Sequence, residues 1–140
     1  ADSCQSFGSV YHGKNAGSIA DMTATSFYPT KPLGCYGDGG AVFSNSNEEN
    51  ELVKSCRVHG MSPEDHYDNV RLGMTGRMNS FQAAVLLLKL TVFSQELKDR
   101  YKVAKRYDEE LSPYYNKQEI LPNVTTSLWV FIRRSIPTSR

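Results

Sequence analysis

Cysteine is scarce in this chain. There are three, Cys4, Cys35 and Cys56, widely separated and without a C-x-x-C pair. That pattern excludes a disulfide scaffold or a thiolate zinc site and reads as reduced thiols in a cytoplasmic protein. Long apolar runs are also missing. The longest, AAVLLLKL, is interrupted by Lys89 and falls far short of the ~20 residues that cross a bilayer. Neither sign of charge dominates: 16 Lys and Arg face 15 Asp and Glu, for a net charge of +1. This balance argues against a dedicated nucleic-acid binder and against a membrane-surface protein. No internal repeat, low-complexity tract or signal-peptide pattern is visible, so the sequon Asn123-Val124-Thr125 reads as chance. What remains is a chain of 140 residues, 39% hydrophobic, long enough for a core of its own.

Residues 1–20 are rich in Gly and Ser and read as loop with one short helix near the start. Residues 21–28 (DMTATSFY) read as a strand, and AVFS after the run GCYGDGG reads as a return strand across a tight glycine hairpin. Asn47 is the expected N-cap of a helix whose first turn carries Glu48, Glu49 and Glu51, with Gly60 at its end. Residues 61–76 read as an ordered loop. A long amphipathic helix starts near Met78, with Met78, Phe81, Val85, Leu88, Val92 and Phe93 as its apolar stripe. Leu97, Tyr101, Ala104, Tyr107 and Leu111 continue the stripe. A kink is expected near Ser94 and a stop at Ser112-Pro113. Glu96 with Arg100 and Lys105 with Glu109 are i,i+4 pairs on its exposed face, worth ~0.3 kcal/mol each. Residues 127–136 (SLWVFIRRSI) read as a last strand.

Several motifs invite chemistry that their surroundings do not support. GCYGDGG has no Lys-Ser or Lys-Thr after it and opens a strand rather than a helix, so it is not a phosphate loop. His59, Asp65, His66 and Asp68 lie on an irregular loop with no metal-binding frame. KDRYKVAKRY carries its cations opposite an apolar stripe among balancing acids, as a solvated helix face does. Lys31 is different. It stands between Pro29 and Pro32 at the end of a core strand, in SFYPTKPLG. A lysine held in a partly dry pocket can lose its proton and form a Schiff base. Pyridoxal phosphate chemistry needs such a lysine, an acid at the pyridine nitrogen and donors for the phosphate. Asp2, Gln5 and Ser26 are the candidates. Spacing alone leaves the bland reading, a surface lysine and a capping acid, ahead.

DSCQSFG, TSFYPTKPLGCYGDGGAVFSN, RVHG and GRMNSFQAAVLLLKL, in that order, resemble the sugar aminotransferases of the DegT/DnrJ/EryC1/StrS type. The resemblance runs from Asp2 to Arg140. Its most specific parts are the D-x-x-Q of Asp2 and Gln5 and the S-F-x-x-x-K-x-L-G of Ser26 to Gly34. It implies an α/β fold: part of a fold-type-I aminotransferase large domain, with a mixed, mostly parallel sheet, running into a small C-terminal domain. Residues 1–118 would belong to the former and 119–140 to the latter.

The resemblance further implies pyridoxal 5′-phosphate as cofactor, with Lys31 as the Schiff-base lysine and proton shuttle. Asp2 would pair with the protonated pyridine nitrogen, Gln5 would lie near the ring and its 3′-oxygen, and Ser26 would donate to the phosphate. Arg77 would lie at the dimer-related active site. Thr75 stands where the family commonly has an Asn that reaches the partner subunit's cofactor phosphate, and threonine reaches less far. The implied substrates are a UDP-linked 2-acetamido-3-keto sugar, for surface polysaccharide, and an amino donor such as glutamate, in a homo-oligomer. Lys31 speaks against the family's dehydratase branch, which has His there. Family members are more than twice as long, so the chain is expected to be the central piece of such an enzyme and not to catalyse alone. The alternative reading is a truncated, non-catalytic descendant that binds or oligomerises.

Overall fold

The computed structural model describes residues 1–111 and 119–127. The helix stop expected at Ser112-Pro113 and the strand expected at 127–136 lie outside these residues, apart from Ser127. Five short strands, β1 (Val10–Tyr11), β2 (Lys14–Asn15), β3 (Met22–Ser26), β4 (Gly40–Ser44) and β5 (Val124–Thr125), accompany two helices, α1 (Asn47–Cys56) and α2 (Ser80–Leu111). Residues 1–20 hold β1, β2 and a 3-10 turn at Ala16–Ser18, rather than the loop with one short helix expected from their composition.

β3 alternates as a half-buried strand should. Thr23, Thr25 and Phe27 are buried, while Met22, Ala24 and Ser26 are more open. It pairs antiparallel with β4, from Met22 opposite Ser44 to Ser26 opposite Gly40. The connection over residues 27–39 is a folded loop rather than the tight hairpin its glycines suggest. On the other edge, Ala1–Ser3 runs parallel to β3: Ser3 N–H donates to Ala24 O (2.8 Å) and Ala24 N–H to Ala1 O (2.9 Å). The sheet is therefore mixed. A second small sheet orders β2-β1-β5.

The core lies on one side of β3. Phe27, Leu33, Cys35, Leu86 and Phe93 are buried together, with Phe7, Ala41, Met78 and Leu97 against them. Phe7 is its hub, edge-on to Phe27 at 5.7 Å and tilted against Phe93 at 5.5 Å. Such ring pairs add ~0.5–1.5 kcal/mol beyond the area they bury.

α1 is capped one residue earlier than expected, by Ser46, whose hydroxyl accepts Glu49 N–H at 3.4 Å. Gly60, with φ +77°, lets the chain turn after α1 and lie against the Arg71 carbonyl. The bridges Val58–Thr75 and Met61–Asn69 close the following loop.

α2 is one continuous helix of 32 residues with no break at Ser94. Asn79 caps it, its side chain accepting Phe81 N–H at 2.8 Å. Its buried face matches the expected stripe only in part, at Phe93, Leu97 and Ala104, and adds Leu86. Leu86, Phe93 and Ala104 point inward, while Phe81 (64% exposed) and Leu88 (73%) of the expected stripe face out. Arg100, expected on the solvated face, is half-buried and bonds Pro32 O. The helix is apolar on two sides, and periodicity alone does not say which side this chain covers. No helix among the described residues is long and apolar enough to cross a membrane.

Gly34 is where the loop after β3 closes on itself: a Cβ there would lie 2.6 Å from Pro29 O and 2.8 Å from Tyr28 O. Both obstacles are backbone. Gly34→Ala is expected to lower stability by about 1–3 kcal/mol through overpacking, read as a lower midpoint in urea unfolding. An unchanged midpoint would contradict this packing.

Candidate active site

The open face of β3 carries the candidate residues. Parallel pairing sets Asp2 beside Ala24, and partners across a bridge share a face. Ser26 lies two residues further along that face, with Val42 opposite Ala24 on β4. Beyond Ser26 the chain turns. Ser26 Oγ accepts Tyr28 N–H at 3.2 Å, and Lys31 N–H closes the turn on Tyr28 O at 2.8 Å. Pro29 and Pro32 fix φ on either side of the lysine. Lys31 itself is half-buried, while Pro32 to Cys35 are buried.

Asp2 and Cys4 are hydrogen-bonded, and the Lys31 charge reaches both. Asp2 Oδ1 accepts Cys4 N–H at 2.8 Å. The Cys4 thiol and this N–H, both donating to Asp2, hold the carboxyl below the usual carboxylate range, and the Lys31 charge helps. The same carboxylate pushes the Cys4 thiol up, with desolvation adding to it. Asp2 is thus an anion and Cys4 a neutral donor at neutral pH. Cys4 was not visible as a site residue in the sequence. Its only signal there is its place inside D-x-x-Q.

The lysine loop is held from behind by α2. Lys89 Nζ donates to Gly34 O at 2.6 Å and sits 4.9 Å from the Tyr36 ring centroid. An Arg100 guanidinium N–H donates to Pro32 O at 3.0 Å. Gln82 Oε1 accepts Tyr36 N–H at 2.8 Å. Sequence reading missed all three. The one hint is Lys89, a cation inside the longest apolar run.

The remaining candidates make other contacts. The Gln5 side chain is exposed, and its carbonyl accepts the Ser127 hydroxyl at 3.3 Å. Thr75 pairs with Val58, and its hydroxyl lies 3.5 Å from His59 Nε2. Arg77 is exposed, one residue before Met78, whose sulfur lies 3.4 Å from where a Cβ on Gly39 would stand. Among the described residues, neither Thr75 nor Arg77 shares a hydrogen bond or ion pair with Asp2, Ser26 or Lys31. No three His, Cys, Asp or Glu residues among them are gathered to hold a metal ion.

The model of the DegT/DnrJ/EryC1/StrS aminotransferase family matches residues 1–139. A UDP-2-acetamido-2-deoxy-3-oxo-D-glucuronate aminotransferase of Pseudomonas aeruginosa is 44% identical over 110 residues, covering 79% of this chain and 30% of the relative. The crystal structure of a DegT DnrJ EryC1 StrS aminotransferase from Brucella abortus superposes with a TM-score of 0.86 at 40% identity, covering 90% of this chain and 34% of that one. A Streptococcus pneumoniae protein solved in a PLP-form gives a TM-score of 0.79 at 27% identity, covering 90% and 34%. The chain spans about a third of the length of these relatives. The fold is α/β, a partial fold-type-I aminotransferase, as the motifs implied.

The depressed Asp2 carboxyl binds its proton less readily in the fold than in the unfolded chain. It therefore adds stability above the ordinary value of 3.8 that is lost as pH falls through the folded value. In a carbon-13 NMR titration the Asp2 midpoint is expected below 3.8. In Cys4→Ala it should rise part of the way back, because the residue-4 N–H still donates. A midpoint that Cys4→Ala leaves in place would show that the thiol does not act on Asp2.

Proposed function

The chain belongs to the DegT/DnrJ/EryC1/StrS aminotransferase family, and from that premise we propose that it forms the central part of a pyridoxal-phosphate-dependent aminotransferase acting on a nucleotide-linked keto-sugar. The observation that carries the reading is the placing of Asp2 and Ser26 on one open face of β3, with Lys31 in the turn just beyond its end. The likeness to the Pseudomonas enzyme favours a UDP-linked 2-acetamido-3-keto sugar as substrate; glutamate as donor and surface polysaccharide as destination are part of the proposal. The division of the chain at residues 118 and 119 and a cytoplasmic site belong to the same proposal.

The donor set fits pyridoxal 5′-phosphate. Asp2 is anionic and open to solvent, as a partner for a pyridinium must be. Ser26 Oγ already accepts from Tyr28 N–H, so its own proton is free for a phosphate oxygen. Lys31 roots between two prolines at the edge of the same face. When bound, the cofactor supplies an aldehyde for amines and a ring that takes up electron density from the reacting carbon.

The rest falls to this chain. Lys31 Nζ would be the amine that binds the cofactor's aldehyde and, once released, would take and return a proton at the substrate carbon. Asp2, as an anion, would keep the ring nitrogen protonated. The family resemblance would put Gln5 near the ring's 3′-oxygen. Thr75 and Arg77, which share no hydrogen bond or ion pair with Lys31, would serve a neighbouring subunit's site in a homo-oligomer. Tyr67 and Leu72, each 96% exposed, and the outward Phe81 and Leu88 form apolar surface of the kind that a partner covers.

In the polypeptide that carries this chain, added pyridoxal 5′-phosphate should give a visible absorbance band that survives dialysis and is reduced onto Lys31 by borohydride. Lys31→Ala should abolish both. A band that persists in Lys31→Ala would remove Lys31 from the reaction.

A further inference from the structure

Backbone groups buried in a loop need partners, because an unpaired one costs the full desolvation of a polar group. Residues 32–35 are buried outside any sheet. Cys35 N–H finds Phe27 O at 2.8 Å. The groups at Pro32, Gly34 and Tyr36 find α2: Arg100, Lys89 and Gln82 each take one. These three side chains come from one side of a single helix and meet alternate residues of the loop. Two are full cations, although a neutral donor would satisfy a carbonyl.

The two ends of the lysine's backbone are thereby held. Its N–H is bonded to Tyr28 O, and the next carbonyl, that of Pro32, is bonded to Arg100. The Pro32 ring removes freedom between them. The Cα of Lys31 is thus a fixed root, and the side chain moves only about its own bonds.

We propose that Lys89, Arg100 and Gln82 are positioning residues for Lys31, setting the loop that aims its amine. This rests on the proposed role of Lys31. A misplacement of about 1 Å at a reacting group costs as much as roughly a hundredfold in rate. Positioning residues should therefore be felt in the chemistry of Lys31 before they are felt in the fold. Methionine keeps the length and the apolar stem of lysine and removes its charge and donor.

The test uses the whole polypeptide, with pyridoxal 5′-phosphate and hydroxylamine as probes, so that no sugar need be known. Lys89→Met, Arg100→Met and Gln82→Leu are compared with Lys89→Arg and with Lys102→Met, a solvent-exposed cation on the same helix paired to Asp99. The three clamp variants are expected to keep their circular dichroism. They should show a shifted cofactor band and a change of about tenfold or more in the rate at which hydroxylamine displaces the cofactor. Lys89→Arg should restore the parent rate to within about twofold, since arginine keeps the cationic donor. Lys102→Met should match the parent.

Band and rate unchanged in all three clamp variants would overturn the inference, provided that Lys31→Ala has lost the band. So would an equal change in Lys102→Met. Loss of fold in every clamp variant, with Lys89→Arg no better, would assign them to stability alone and overturn it too. A band that survives Lys31→Ala is a separate failure, that of the lysine's assignment.

Discussion

Ala24 is bonded through both sides of its peptide group, its carbonyl accepting from Ser3 and its N–H donating to Ala1. The geometry of the site depends on that pair of bonds. They set the register of the first residues on β3 and so decide that Asp2 shares a face with Ser26. A slip of one residue would send the Asp2 carboxyl to the opposite, core-facing side, against Thr23 and Thr25. The acid and the lysine are far apart in the chain only by sequence. Both are anchored to the same five-residue strand, one beside its middle and the other just past its end.

The second requirement is met by α2. A strand can hold Asp2 and Ser26 with its own ladder, but the loop that carries Lys31 has no ladder. Its buried carbonyls accept from cations on the helix, bonds worth ~1.5–3 kcal/mol each because one partner is charged. Turning Lys89 and Arg100 inward leaves Phe81, Leu88 and Tyr101 facing out. The exposed apolar side of α2 and the well-held lysine loop are therefore one arrangement seen from two directions.

Much of this was legible in the residues. The strand pair on either side of the glycines, α1 with its acidic first turn and the long second helix follow from periodicity and capping. Lys31 was marked by its two prolines, and its role became readable only through the ordered motifs around it. What was not legible has physical causes. Ala1–Ser3 is too short to announce itself as a strand, so the pairing that places Asp2 could not be foreseen. α2 carries apolar residues on two sides, so the stripe chosen by spacing mixed core positions such as Phe93, Leu97 and Ala104 with open ones such as Phe81, Leu88 and Tyr101. Arg100 looked like half of a surface pair with Glu96. The two are 3.9 Å apart, and the guanidinium's nearer partner is a carbonyl 68 residues upstream. Cys4 acts through a hydrogen bond to a neighbour two places away, which no pattern of hydrophobicity records.

Ser127 is almost fully buried and is tied to Ser9 and Gln5 across 118 and 122 positions. This gives the assembly of the site a direction in time. The β3–β4 hairpin closes over the shortest span. The helix meets the lysine loop across separations of 46, 55 and 68 residues. The serine contact spans more than a hundred residues. Loop-closure entropy rises with separation, so the side of the site that holds the lysine can be built before the segment bearing Gln5 is pinned. On a growing polypeptide, an amine would be aimed before the ground beside its acid is finished.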